Sequence, residues 1–285
     1  MILVLGEQGQ LGSHFKFLRP EFKYLSRKDF ELSKNWDKYE AIIREAQPKT
    51  VINCTAYTKV DLAEEEQAEA YLLNSQNVEM LAKFAKKYKH QLVHFSTDYV
   101  FNGTLKRAYT EKDKTGPRTV YGETKREGEK AVLALGNRGL VLRTSWLFGP
   151  SPTNFVQAII RKLKIGKALK VVNDQTGSPT YTKDLALATL ELIKHKKCGL
   201  FHFSNSGETT WYDFAIKIRD YLGYSNHITP IKTRALNLPA PRPEYSVLQC
   251  RKYTSTTKQK IRSWEDALDS YFKEIAVSQG GKDDS

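Results

Sequence analysis

Apolar runs of strand length alternate with amphipathic stretches of helical length through the first half of this chain, and that alternation sets the expected fold class. A strand over 1–6 leads to a helix over about 10–19. The runs FKYLS (22–26), TVINCTA (50–56), QLVHFST (91–97) and GLVLRTS (139–145) read as further strands. Helical periodicity fills the gaps near 37–46, 64–89 and 120–135. The strand runs are almost unbroken in apolar residues, as strands covered on both faces require. The expected architecture is therefore α/β, a doubly wound, Rossmann-like parallel sheet with helices on both sides and a smaller mixed α/β substrate domain.

Beyond residue 150 the rhythm loosens. Helices are expected near 154–165, 182–194, 209–222 and 258–276, with strands near 168–173 and 199–205. The proline-rich stretch 228–249 has no period and reads as a loop laid over a ligand or another domain. This organisation suggests a dinucleotide-binding domain over 1–150, completed by parts of 180–205. A mainly substrate-binding, interleaved region follows over 151–276, and the polar, Gly-containing end 277–285 reads as a mobile tail.

Composition narrows the function classes. The 285 residues, 40% hydrophobic, can bury a sizeable core, and the net charge is +13. The lysines are scattered along nearly every helical segment, with neither a block of five or six nor an aromatic-basic RNA-binding signature. That pattern describes a solvated basic surface with room for a cleft attractive to a phosphorylated ligand, and a nucleic-acid partner is not expected. No stretch approaches the roughly 20 apolar residues of a membrane span, and MILVLGEQG is too short for a signal peptide. A cytoplasmic protein without membrane partners is expected. Cys54, Cys198 and Cys250 are odd in number and far apart, so they form neither a disulfide framework nor a zinc motif. The histidines lack metal-ligand spacing, and no metal is expected.

Two groups of residues carry candidate chemistry. GEQGQLG places Gly6, Gly9 and Gly12 between the first strand and the first helix, where glycines permit a tight turn and close approach to a pyrophosphate. Some 20 residues on, where an acid would bind the ribose diol of NAD, the chain has Ser26, Arg27 and Lys28. Those cations favour a 2′-phosphate and NADPH, while Asp29 beside them keeps NADH, or a merely solvated turn, open. The second group is YGETK. Tyr121 and Lys125 lie four residues apart, on one face of a helix, where an ammonium can draw down a phenol pKa near 10. Ahead of it, HFSTDYVFNG ends a strand with Ser96, Thr97, Asp98 and Tyr99 at the ligand-binding edge of such sheets.

This hydroxyl–Tyr–Lys set, with the glycine spacing, resembles that of the extended short-chain dehydrogenase/reductases. Within them, the chain resembles the dTDP-4-dehydrorhamnose reductases. The resemblance rests on GQLG (9–12), NCTAYTKVDLAE (53–64), STDYVFNG (96–103), VYGETKREGE (120–129), RTSWLFG (143–149), NF (154–155), NDQTGSPT (173–180) and RP (242–243). It implies NADPH- or NADH-dependent reduction of dTDP-4-dehydro-L-rhamnose to dTDP-L-rhamnose, in activated-sugar synthesis for a surface polysaccharide. Tyr121 would protonate the 4-keto oxygen, Lys125 would lower its pKa and hold the nicotinamide ribose, and Thr97 would orient the keto group. The cofactor positions implied are Gly6, Gly9, Gln10, Leu11, Gly12, Ser26, Arg27, Leu32, Ala56, Tyr57 and Thr58, besides Tyr121 and Lys125. Those implied for the sugar nucleotide are Thr97, Asp98, Tyr99, Trp146, Asn154 and Arg242.

Some positions depart from the family pattern or admit a plainer reading. Cys54 and Thr55 replace two alanines of the family's N-A-A-A-Y-T string, small exchanges that spare backbone contacts. His14 stands near where some members carry an acid that binds magnesium between subunits, so a metal-bridged dimer is not expected, and a monomer or weak homodimer is. Thr97 also reads as strand-end packing, Asn154 as a helix cap, Arg242 as a solvated loop cation, and Trp211, Tyr212 and Phe214 as packing. Two rivals to the main reading are a reductase of a related dTDP-4-keto-6-deoxy sugar and a non-catalytic NADP-binding regulatory subunit.

Overall fold

Period-two alternation within the strands decides how the central sheet is covered. The computed structural model describes residues 1–26 and 35–280, with side chains up to residue 276. Its sheet contains β1 (Ile2–Leu5), β2 (Lys23–Leu25), β3 (Thr50–Asn53), β4 (Gln91–Thr97), β5 (Gly139–Thr144) and an edge strand, Gly199–His202. Their order is edge strand, β5, β4, β3, β1, β2, and every pairing is parallel. Leu3, Leu5, Val51, Leu92 and Val141 face a layer holding Tyr39, Ile43, Val78, Leu81 and Val132. Their chain neighbours Val4, Ile52, Val93, Leu140 and Leu142 face the opposite layer, with Leu11, Phe15, Leu185, Leu192 and Tyr253. Each such side chain contributes roughly 1.5–3 kcal/mol on full burial.

A second apolar core lies beyond the sheet. Phe148, Val156, Ile159, Leu163, Tyr181, Phe214, Ile218, Trp264, Leu268 and Tyr271 pack together there. They come largely from the helices Phe155–Lys164, Trp211–Tyr221 and Trp264–Gly280. The helix Thr182–Lys194 and the strand Gly199–His202 instead return to the sheet and pack on its Val4 side.

Three stretches differ from the sequence expectation. The helix expected over 64–89 is divided into a 3-10 turn at Leu62–Glu64, a helix at Gln67–Tyr71, a π-helical turn at Leu72–Gln76 and a helix at Asn77–Tyr88. Asn74, fully buried in the widened turn, explains the division. Its Oδ1 accepts from the Tyr57 N–H at 2.9 Å, and its Nδ2 donates to the Tyr57 carbonyl at 3.0 Å and to Thr124 Oγ1 at 3.1 Å. The helix expected over 258–276 begins only at Trp264, and a further helix that the sequence did not suggest, Arg251–Thr257, precedes it and ends where Lys258 adopts a left-handed φ of 62°. The Trp264 helix runs on to Gly280, past the expected start of the tail at 277, and residues 281–285 lie outside the described residues. The stretch 228–249 is not wholly irregular, since Ile228–Ile231 forms a strand parallel to Leu169–Val172 and Thr233–Leu236 a 3-10 turn.

The helix Val120–Leu133 lies against the π-helical turn at Gly128, where a Cβ would collide with the Asn74 carbonyl and come 3.3 Å from His94 Nε2. Helix propensity alone favours Gly128→Ala by about 1 kcal/mol. Overpacking is expected to outweigh it and leave the variant about 1–3 kcal/mol less stable in urea titration. A variant more stable than the parent would refute this close contact.

Candidate functional site

The glycine loop shapes the mouth of the first crevice. Gly6, just past β1, takes φ 85°, a value costly for a side chain, and its N–H donates to the Leu25 carbonyl at 2.9 Å. The Gly9 N–H donates to the Gly6 carbonyl at 3.0 Å, and a Cβ on Gly12 would collide with that same carbonyl. The helix Gln10–Leu18 therefore starts hard against the end of β1. Gly9, its N-cap, offers no side-chain cap and its first turn carries no acid, so the N–H groups of the turn, including those of Leu11 and Gly12, are available to an anion. β1 lies between β2 and β3, which makes this the point where strand order reverses and where such sheets hold ligands. Across the crevice, past β3, lie partly buried Ala56, buried Tyr57 and exposed Thr58. Ser26 is buried beyond β2, while Arg27 and Leu32 lie outside the described residues. The glycines and the uncapped helix start fit a dinucleotide pyrophosphate.

β4 delivers the second group. Thr97, its last residue, is buried, and its hydroxyl donates to Asp98 Oδ1 at 2.9 Å and accepts from the Tyr99 N–H at 3.2 Å. Thr119 Oγ1 accepts from the Gly122 N–H at 3.0 Å and Glu64 Oε1 from the Val120 N–H at 3.0 Å, which fixes the helix start where Tyr121 sits. Thr97 lies close enough to the Tyr121 hydroxyl to favour its ionised form, and the Tyr99 ring meets the Tyr121 ring edge-on at 5.6 Å. Burial pushes the Tyr121 phenol up to about 12, with the nearby Thr97 hydroxyl lowering it and the Asp98 charge raising it. Burial likewise pushes Lys125 down to about 8, against the Glu129 charge. The expected lowering of the phenol by Lys125 is therefore not what this geometry produces. Spacing correctly put both residues on one helix, but Lys125 Nζ lies 3.4 Å from His94 Nε2, and burial sets both pKa values.

The remaining candidates divide by what engages them. Asp98 is buried, and burial raises it to about 6 despite the hydroxyls of Ser246 and Thr97. Trp146, just after β5, holds a left-handed φ of 48°, and its indole stacks on Trp211 with centroids 3.5 Å apart and planes 7° from parallel. Trp211, expected only to pack, thus supports a candidate site residue. Asn154 caps the helix Phe155–Lys164. Its Oδ1 accepts from the Gln157 N–H at 3.0 Å, and its Nδ2 donates to the carbonyls of Gly149 at 2.9 Å and Ser151 at 2.6 Å. Arg242, expected to stand near a diphosphate, donates through Nη2 to Asp61 Oδ2 at 2.6 Å and ties the proline-rich stretch to the loop after β3.

The structure adds residues that sequence reasoning passed over. Asn74, His94, Asp61 and Ser246 all touch candidate residues, and no spacing rule marks them because their partners are far along the chain. Burial pushes the Cys54 thiol up, so it is no nucleophile. His14 is buried between Thr182 Oγ1, at 2.7 Å, and Glu274 Oε1, at 3.1 Å. Among the described residues, no group of three or more His, Cys, Asp or Glu side chains is placed to hold a metal. No helix among them is long and apolar enough to cross a membrane.

Comparison with known proteins agrees with this geometry. The family model described as RmlD substrate binding domain matches residues 1–277. A dTDP-4-dehydrorhamnose reductase of Streptomyces griseus is 39% identical, with 84% of this chain and 81% of that protein aligned. A probable dTDP-4,6-dihydroxy-2-methyloxan-3-one 4-ketoreductase of Streptomyces antibioticus is 40% identical, over 84% of this chain and 82% of that one. Among solved structures, a dTDP-4-dehydrorhamnose reductase of Bacillus anthracis, in complex with NADP, superposes with a TM-score of 0.92 at 35% identity, covering 96% of this chain and 98% of the other. A glycine loop at the switch point, Thr97 and Tyr121 brought together at the end of β4 and a family match over nearly the whole length converge, and the chain belongs to the dTDP-4-dehydrorhamnose reductase family.

Proposed function

We propose that this chain is a cytoplasmic, NADPH-dependent reductase that converts dTDP-4-dehydro-L-rhamnose to dTDP-L-rhamnose, supplying an activated sugar for polysaccharide synthesis. The observation that carries the reading is the meeting of buried Thr97 and half-buried Tyr121, a hydroxyl and a phenol at one strand end of the sheet that also carries the glycine loop. The NADP in the B. anthracis relative supports the cofactor. In this reading the sheet side holds the dinucleotide and the second core shapes the sugar-nucleotide side. A nicotinamide cofactor, when bound, supplies the hydride for carbon 4.

The chain's own residues manage the oxygen. Tyr121 gives its hydroxyl proton to the 4-keto oxygen as the C–H bond forms, and a phenol held near 12 keeps that proton until the oxygen becomes basic. Thr97 turns its hydroxyl from Asp98 Oδ1 to the same oxygen and orients the carbonyl. Asp98, Tyr99 and Trp146 border the sugar. Arg242 exchanges Asp61 for a phosphate oxygen, to which its planar fork is suited. Asn154 acts by holding the turn from Gly149 to its own helix.

A second reading is favoured by the S. antibioticus relative, whose identity to this chain matches that of the rhamnose enzyme. It is reduction of a related dTDP-linked 4-keto-6-deoxy sugar. Thr97, Tyr121 and Lys125 are all present, which speaks against a non-catalytic regulatory subunit.

Tyr121→Phe should lower turnover by roughly a thousandfold or more while NADPH binding, followed by fluorescence, stays within about threefold; Thr97→Val should cost on the order of a hundredfold. NADPH oxidation with dTDP-4-dehydro sugars, with product configuration at carbon 4 resolved by NMR, separates the two substrate readings. Turnover unchanged in Tyr121→Phe would end the mechanism.

Asp98 generates a stability prediction. Its folded pKa of about 6 lies above the unfolded value near 3.9, so folding favours the protonated form and stability falls as pH rises through that window. Asp98→Asn removes the titration and should gain on the parent by on the order of 1–2 kcal/mol between pH 4 and 7.5. Thermal unfolding at both pH values checks this, and a constant difference would refute the buried charge.

A further inference from the structure

A chain of hydrogen bonds behind Lys125 fixes a proton that the proposed reaction does not use. The Thr55 N–H and hydroxyl both donate to Asn53 Oδ1, at 3.0 and 2.6 Å. That atom is therefore the carbonyl oxygen, and the amide nitrogen of Asn53 faces His94 Nδ1 at 3.3 Å. An amide nitrogen only donates, so Nδ1 accepts. Burial, followed by the charge of Lys125, holds His94 well below the ordinary imidazole range, and the neutral ring carries its one proton on Nε2. That N–H is aimed at Lys125 Nζ, 3.4 Å away. His94 is fully buried and Lys125 is 3% exposed, so water offers neither group an alternative.

An N–H facing an ammonium is a repulsion, whereas an N–H facing an amine is a hydrogen bond. We propose that His94, locked by Asn53 in its Nε2–H tautomer, is a positioning residue that favours the amine form of Lys125 and holds it against β4, whereas the ammonium form turns away toward Tyr121, one helical turn back. The inference deepens the reductase reading and rests on it for the role of Lys125. Other groups face this helix without replacing His94. Glu129, one turn beyond Lys125, is tied to Arg143 of β5 through two hydrogen bonds of 2.7 Å. Asn74 presents a neutral amide to Thr124, Glu64 caps the helix start, and Tyr71 hydrogen-bonds Glu123. Asp98 acts on Tyr121 from the end of β4.

Two measurements on the full-length protein test the proposal. The first is a long-range proton–nitrogen NMR spectrum of 15N-histidine protein, with the His94 signal identified by its loss in His94→Gln. Over pH 6–9 it should show a protonated Nε2 and an unprotonated Nδ1; an Nδ1–H tautomer or an imidazolium at pH 7 overturns the proposal. The second is the pH profile of kcat/KM for NADPH, which reports ionisations of the free enzyme. The parent should have a basic limb near pH 8. His94→Leu, lacking the donor, should move that limb up by at least half a unit, and His94→Gln, which keeps an N–H, should restore it. A limb that stays in place in His94→Leu, with only the amplitude reduced, assigns His94 a merely structural role and overturns the proposal. If the parent turns over no keto-sugar nucleotide, the reductase reading fails, and the NMR spectrum still decides the His94 tautomer.

Discussion

A lysine buried between a helix and a sheet constrains much of this molecule. Lys125 is 3% exposed, and an ammonium or amine so placed must have polar company or its burial costs several kcal/mol. The company comes from β4, through His94, whose other nitrogen is engaged by Asn53 of β3. Those contacts require the helix Val120–Leu133 to lie close on the sheet, and Gly128 permits that approach. The adjacent charge, Glu129, is matched in turn by Arg143 of β5. One helix is thereby tied by side-chain polarity to two adjacent strands directly and, through His94, to a third.

The consequence reaches the strand ends. Because the helix is fixed in depth and rotation, Tyr121 arrives beside Thr97, the last residue of the strand that also carries His94. The loop after β3 is bound to the same helix through Asn74, which joins the backbone of Tyr57 to Thr124. Candidate cofactor positions and candidate proton-transfer residues therefore share one rigid frame. The proline-rich stretch is attached less firmly, through Arg242 and Asp61 on the rim. That contrast suits a core that holds geometry and an edge that exchanges partners when an anionic ligand arrives.

Burial also governs the electrostatics. Sequence spacing suggests a phenol made more acidic by a neighbouring ammonium, but removal from water raises Tyr121 and lowers Lys125 together. Asp98 rises for the same reason. Three groups with ordinary reference values are thus brought toward or away from neutrality by the dryness of one strand end. Pairwise reasoning along a helix has no access to that effect, because it depends on which elements close over the site.

Much of this protein was decided locally and is readable from the chain alone. The parallel sheet follows from unbroken apolar runs at regular intervals, the glycine turn from residues that must tolerate close backbone approach, and the Tyr121–Lys125 face from four-residue spacing, all properties of short segments. Tertiary structure decided the rest: the π-helical turn around Asn74, the left-handed turn at Lys258, the pairing of Trp146 with Trp211, the Arg242–Asp61 bridge and the facing of His94 to Lys125. Each joins residues separated by 17 to 181 positions or depends on a conformation that packing selects. Hydrogen bonds and burial act through space, and a pattern along the chain records them only where spatial neighbours are also neighbours in sequence.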